Sequence, residues 1–430
     1  MLSSVTVMQA YRFTTLSPEL VTVPPPKEVQ THRAFEVDAE QVGVEQRGVE
    51  QIWNAVLRLY QTGLHPAIAL CIRRRGQVII DRSVGHIWGN GPNEAPGAIK
   101  APATPDSLYN LFSASKSVTA MLIHLLDDRG QLHLDDAVVE YIPEFAGHSK
   151  RWITIRHVLT HRSGIPVLPP GGANLDLLTH PDRIVELLSD SKPTSRPGRR
   201  LAYHALTGGF ILAEIIERVT GKDIRNVLRQ EVLDPLGFKH FNYGVAPQEI
   251  DQVARHSFTG AKPRWPYSEL LRRAIGVGIE EAVELSNDQR YITGVVPAGN
   301  IISTPNEASR FFQLLLNEGE MDGVRIFSPR TVRRAISEQS YFEADATLLL
   351  PIRYGMGFML GSKFLSLYGP NTRYAFGHLG FTNLLVWADR ERDISVAFMT
   401  SGKPFITPRL LRWYQVMLAI SRKIPRDSLS

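Results

Sequence analysis

The strand-like runs of this chain lie at its two ends. Near the N-terminus, PAIALCIRRRGQVIIDRSVGHI (66–87) reads as two strands joined by a tight turn at Arg75 and Gly76. Near the C-terminus, YGMGFMLG (354–361), GFTNLLVWAD (380–389) and DISVAFMTS (393–401) return to strand pattern, and DRERD turns the last two into a hairpin. The region between, about 111 to 340, is mostly helical pattern broken by proline loops. Its clearest helix is LTGGFILAEIIERVTG, closed by Gly221. A helix before the first strand places Ile52, Val56, Leu59 and Tyr60 at helical spacing and stops at Gly63, and RLLRWYQVMLAISRKI closes the chain. This order predicts an α/β (α+β) fold: an antiparallel sheet built from both chain ends, flanked by helices, with an inserted mainly helical lobe.

A chain of 430 residues is long for one compact core and short for three. The expected division is an N-terminal extension, 1–48, containing VTVPPPKE, followed by one unit, 49–425. Its sheet lobe would be 49–110 plus 350–425 and its helical lobe 111–349. The net charge of +5 is spread along the chain, with no basic run interleaved with aromatics, so no nucleic-acid partner is expected. The single cysteine, Cys71 in AIALCI, excludes an internal disulfide and reads as a core residue. The start MLSSVTVMQAYRFTTLSPEL lacks the pattern of a signal peptide, and no run is long and apolar enough for a membrane span. A cytoplasmic protein is expected.

The stretch NLFSASKSVTAMLIH (110–124) carries the chemistry. After Ser113, apolar residues at Val118, Met121, Leu122, Leu125 and Leu126 mark one helical face. Ser113 and Lys116 are three apart and share one side of the first turn. Partial burial and the positive end of the helix dipole both disfavour an ammonium ion there. A lysine so placed can accept a proton near neutral pH and activate the serine hydroxyl without a histidine. The same four-residue pattern also occurs as Ser189-Asp190-Ser191-Lys192, but Pro193 disfavours helix there, so that serine and lysine need not share a face.

The surroundings of Ser113 are more specific than the motif. LYNLFSASKSVTAMLIHLLDDRGQLHLDDAVVEYIPEF resembles the nucleophile helix of the serine β-lactamase-like family of class C β-lactamases, D-amino-acid peptidases and carboxylesterases. ITIRHVLTHRSGI, PGRRLAYHALTGGFILAEIIERVTG, VPAGNIISTPNEASRFFQLLLNEGEMDG and FGHLGFTNLLVWADRERDISVAFMTS resemble further blocks of it in the expected order, over roughly residues 50 to 415. The resemblance implies Ser113 as acylated nucleophile and Lys116 as the lysine sharing its proton. It implies Tyr203 as general base and acid, with a phenol pKa lowered between two cationic groups. His378 and Gly380 match a third motif on an edge strand, and the N–H groups of Phe381 and Ser113 would form the oxyanion hole. A glycine at 380 would let a substrate carbonyl approach the strand closely.

Two departures from the family pattern bear on substrate. Tyr203-His204-Ala205 lacks the usual asparagine two residues after the tyrosine, and His378-Leu379-Gly380 replaces the Lys-Thr-Gly frequent in β-lactamases. The missing groups would hold an amide and a substrate carboxylate. Both motifs look more like the esterase branch. The expectation is a serine carboxylesterase with an acyl-enzyme on Ser113, a small-molecule ester substrate, and no metal or cofactor. Alternatives on the same site are a β-lactam or D-peptide amide hydrolase or an acyltransferase. An alternative of another class is a non-catalytic acyl-ligand sensor or scaffold. The oligomeric state is open.

Other candidates read more plainly. His157 and His161 stand four apart, a spacing that can bind zinc, but no third ligand or H-E-x-x-H pattern accompanies them. His204 is expected to point away from the cleft, and Asp127 and Asp128 to form a solvated face. No G-x-S-x-G occurs, which argues against an α/β-hydrolase elbow. The loop IPVLPPGGANLDLL (165–178) is either a wall of the acyl pocket or an ordinary connection.

Overall fold

The computed structural model describes residues 19–427 apart from 34–35, 96, 341–342 and 406. Most of the run read for a signal peptide, residues 1–18, lies outside the described residues. The strands that matter are β1 (Gln30–His32), β2 (Ala67–Arg74), β3 (Gln77–Trp88), β4 (Arg353–Tyr354), β5 (Met359–Leu360), β6 (Ala375–Leu379), β7 (Leu385–Asp389), β8 (Ile394–Thr400) and β9 (Gly402–Pro404). The first eight form one sheet in the order β1-β3-β2-β8-β7-β6-β5-β4, every neighbour antiparallel. Strands from the two ends of the chain meet at β2 and β8, as the sequence predicts. The β2–β3 turn places Arg75 at φ 51° and Gly76 at φ 77°, the left-handed pair that a two-residue hairpin turn needs.

Alternation along the central strands decides which face packs on what. Ile68, Leu70, Ile72, Trp387, Val396 and Phe398 share one buried cluster. They pack there with α1 (Gln46–Tyr60) and the closing helix α5 (Leu411–Lys423). The opposite face presents Ala67, Ala69, Val386, Ala388 and Ala397 to the larger core. Small side chains there let α4 (Pro305–Leu316) and α2 (Ser115–Asp128) lie close to the sheet. Ser309 on α4 reaches Cys71 on β2, Oγ to Sγ 3.3 Å, so the cysteine is a core residue as expected. Further helices pack on α2, among them α3 (Thr207–Thr220), capped by Gly221 at φ 69°.

Beyond β8 the chain crosses closely over itself. β9 pairs in parallel with Ser257–Thr259, and a Cβ at Gly402 would sit 1.8 Å from the Leu64 carbonyl oxygen. Only glycine fits so close to another backbone. Gly402→Ala should therefore lower stability by roughly 3 kcal/mol, read as a fall in the urea midpoint. An unchanged midpoint would contradict this crossing.

Candidate active site

The nucleophile turn is held before the helix begins. Asn110 Oδ1 accepts the Phe112 N–H at 2.8 Å, and Phe112 adopts φ 48°. A bulky residue in this region stores backbone strain, which persists only where the surroundings enforce it. Ser113 follows in a short 3-10 turn, Phe112–Ala114, that runs into α2. The apolar face read from the sequence is buried as predicted, but so is the rest of the helix from Ser115 to Leu126. Its polar side is satisfied internally: Ser115 Oγ accepts the Ile301 N–H at 2.9 Å, and Ser117 Oγ donates to the Gly357 carbonyl at 2.9 Å.

Lys116, 8% exposed, turns back towards Ser113. Its Nζ lies 3.1 Å from Ser113 Oγ, 2.7 Å from the Ala205 carbonyl and 3.0 Å from the Ala298 carbonyl. Ala205 comes from the tyrosine block and Ala298 from the VPAGN block, so three distant segments converge on one nitrogen. Among the described residues no carboxylate hydrogen-bonds to it. Burial pushes the Lys116 pKa down to about 7.

Tyr203 is also buried, with Nζ of Lys116 5.0 Å from its ring centroid and the His161 ring 4.8 Å away. Its expected lowered pKa is not found. Burial drives the phenol well above its ordinary value; contact with Ser113 opposes this, and the Asp345 charge adds to it. One cation stands close, and that cation is itself weakened by burial, so the phenol keeps its proton.

β6 is an interior strand, not the expected edge. Its outer partner β5 pairs only with Phe376 and Gly377, so His378 and Leu379 extend past it towards the site. His378 Nδ1 lies 2.7 Å from the Leu379 carbonyl, which can only accept, so the ring proton sits on Nδ1. Nε2 is then a bare acceptor with no protein partner. Burial, with the Lys116 charge second, pushes the His378 pKa to about 3. Gly380 has a structural reason besides the one expected: a Cβ there would lie 2.7 Å from the Leu111 carbonyl oxygen. Among the described residues, neither the Ser113 N–H nor the Phe381 N–H is given to a protein acceptor. An oxyanion hole requires donors that are left free in this way.

The remaining candidates find structural places. His157 accepts the Thr154 N–H on Nδ1 at 3.2 Å, closing a helix cap. His161 Nδ1 accepts the His204 N–H at 3.3 Å. Among the described residues no group of three or more His, Cys, Asp or Glu is placed to hold a metal. His204 is turned inward, 2.5 Å from Ser163 Oγ. Asp127 corrects the sequence reading: it is largely buried, accepts the Leu134 N–H and pairs with Arg334. The second Ser-x-x-Lys spans the end of the helix Pro181–Asp190, and Lys192 lies beyond it. Loop 165–178 packs Leu168, Leu175, Leu177 and Leu178 against the large core or within their own turn.

Asp345 escaped the sequence reading. Fully buried, its Oδ1 accepts the N–H groups of Tyr203, Thr347 and Leu348 at 3.1, 2.8 and 2.9 Å. Its Oδ2 accepts the Tyr354 hydroxyl at 3.2 Å. It thereby fixes the backbone that aims Tyr203. Asp345→Ala orphans these four donors and should cost at least about 4 kcal/mol, at about 1–3 per unsatisfied buried group. Asp345→Asn keeps an acceptor oxygen and should recover most of the loss, read by thermal melting of both variants.

Comparison with known proteins gives the family and the fold. The family model described as Beta-lactamase matches residues 54–420. Esterase/beta-lactamase LipL of Mycobacterium tuberculosis is 28% identical over 347 residues, 77% of this chain and 76% of that protein. Esterase EstB of Burkholderia gladioli is 26% identical over 292 residues, 62% of this chain and 67% of its own. The crystal structure of a penicillin-binding protein homologue from Caulobacter crescentus aligns at a TM-score of 0.73 and 25% identity, over 87% of this chain and 97% of its own. A family VIII carboxylesterase, 24% identical, shares the fold at a TM-score of 0.73 over 86% of this chain and 97% of its own. With the match running through nearly the whole sheet and the helices around Ser113, the chain belongs to the beta-lactamase family, a family of serine hydrolases with esterases and penicillin-binding protein homologues among its relatives.

Proposed function

We propose that the protein is a serine carboxylesterase acting on small-molecule esters, its chemistry carried by the unit 49–425 behind the extension 1–48, and its compartment the cytoplasm. The observation that carries the reading is the Lys116 amine, 3.1 Å from Ser113 Oγ and held by two carbonyls without a carboxylate. Above about pH 7 that amine is neutral. Ser113 Oγ attacks the ester carbonyl and its proton passes to Lys116. The oxyanion forms against the N–H groups of Ser113 and Phe381. The C–O bond to the alcohol breaks, and the alcohol takes a proton relayed through Tyr203. With its raised pKa, Tyr203 acts as a neutral phenol that gives and regains a proton. Water then enters, gives its proton to the same pair, and attacks the acyl-enzyme; Ser113 leaves reprotonated.

Ester is favoured over β-lactam by charge. The strand motif that carries a lysine in many β-lactamases carries here a histidine whose pKa of about 3 leaves it neutral. It offers an acceptor, Nε2, where a substrate carboxylate would need a cation or a donor. Described helices include none long and apolar enough to cross a membrane.

Steady-state hydrolysis of p-nitrophenyl esters from acetate to octanoate, beside a chromogenic cephalosporin, tests the reading. Multiple turnovers on esters are expected, with little cephalosporin cleavage. Ser113→Ala should abolish turnover, and Tyr203→Phe should slow it by about 10²–10⁴-fold, the usual contribution of a proton-transfer group. Ester turnover that survives Ser113→Ala would overturn the mechanism, and efficient cephalosporin turnover would overturn the ester preference.

The pH dependence has a definite sign. Lys116 must lose its proton to act as base, so kcat/KM for acylation should rise with pH and level off above about 7. A profile that falls through this range would mean that the lysine acts as a cation.

A further inference from the structure

A second buried lysine lies behind the nucleophile turn, and the mechanism above gives it no role. Lys403 on β9 has no exposed surface. Its Nζ donates to the Thr400 carbonyl at 2.7 Å and sits 4.7 Å from the centroid of the Phe112 ring. Lysine is almost never fully buried without a partner or a task, and among the described residues no acid hydrogen-bonds or ion-pairs with it. The titratable groups facing it are His65 and His256, whose pKa values burial lowers first and the Lys403 charge lowers further. Burial alone pushes the Lys403 pKa down to about 7. Charged or neutral, the amine keeps N–H groups to direct at the Thr400 carbonyl and the Phe112 ring face.

The contacts of that pair lead to both halves of the oxyanion hole. Phe112 is the strained residue that aims the Ser113 N–H, and its ring also meets the Phe381 ring at 5.5 Å and the His256 ring edge-on at 4.7 Å. Thr400, whose carbonyl holds Lys403, donates its Oγ1 to Asn383 Oδ1 at 2.7 Å. Asn383 in turn gives its N–H to the Phe381 carbonyl at 2.9 Å. This chain of hydrogen bonds holds the Phe381–Thr382 peptide, the neighbour of the peptide that carries the Phe381 N–H, while the Lys403 Nζ–ring contact holds the side chain of Phe112, the residue before Ser113. The Thr400–Lys403 segment touches both, beside the direct contact of the Phe112 and Phe381 rings.

We propose that Lys403 is a positioning residue for the oxyanion hole: through the Phe112 ring and the Thr400–Asn383 hydrogen bonds it holds the N–H groups of Ser113 and Phe381 at one fixed separation. It touches no reacting atom. Its effect is confined to the tetrahedral state, because only the oxyanion demands both donors at once. A ground-state ester carbonyl makes weaker use of them.

The inference rests on the serine-hydrolase reading, and the test separates the two. Lys403→Met shortens the side chain by one atom and removes the amine. On a p-nitrophenyl ester, kcat should fall by about tenfold or more, below the 10²–10³ lost when an oxyanion donor is deleted outright, while KM stays within about threefold. The inhibition constant of an alkylboronic acid, whose adduct with Ser113 is a tetrahedral anion, should rise by the same factor as kcat falls. A purely structural role would leave boronate and substrate binding shifted alike. Phe112→Leu, with Lys403 intact, should give the same split, and it decides the matter if Lys403→Met does not fold. If either folded variant keeps the wild-type kcat and boronate affinity, the proposal is wrong. If the wild-type protein turns over no ester and binds no boronate, it is the serine-hydrolase reading that fails.

Discussion

A lysine ammonium buried without a carboxylate is the constraint on which the rest of this structure depends. Lys116 gives up water for two backbone carbonyls and a serine hydroxyl. The two carbonyls belong to the tyrosine loop and to the segment before Ile301, so placing them draws both segments against the first turn of α2. Desolvation leaves the amine nearly as stable neutral as charged close to pH 7. Folding thereby sets the protonation state that the proposed chemistry uses. The arrangement opposes stability, because the unfolded chain binds a proton at this lysine over a range where the folded chain does not. The lysine has no evident benefit to the fold alone.

The other side of the site is set by close approach of backbones. Gly380 lies against the Leu111 carbonyl and Gly402 against that of Leu64. Phe112 adopts a left-handed φ that a phenylalanine does not take freely. The close approach at Gly380 brings the end of β6 against the nucleophile turn, and among the described residues the N–H groups of Ser113 and Phe381 are given to no protein acceptor. Asp345 fixes the third element, the backbone of Tyr203, through a fan of hydrogen bonds. The site is thus three backbone segments held at fixed distances, with the reactive side chains attached to them.

Much of this was legible in the residues. Period-2 and period-3.6 patterning placed the strands at the two ends of the chain and the helices between, and the β2–β8 pairing follows from that order. The spacing of Ser113 and Lys116 with the apolar residues after them placed both on one turn. Tyr203, His378, Gly380 and Phe381 came from the family resemblance and not from any local pattern. Contacts between residues distant in sequence escaped both routes. Asp345 holds Tyr203 across a long stretch of chain, and Lys403 meets Phe112 from the far end of the molecule. The sign of the Tyr203 shift was misread because it depends on how many cations stand near the ring and how well solvated they are. Asp127, read as solvated, is drawn inward by Arg334 and the Leu134 N–H.

The central claim is that Ser113 carries the acyl group. Its most direct test is to mix the enzyme with an activated ester, quench in acid within the turnover time, and determine the intact mass and the modified peptide. The account predicts an increase equal to the acyl group, located on Ser113, that decays as product forms and is absent from Ser113→Ala. Ester turnover with no such adduct, or with the adduct on another residue, would contradict it.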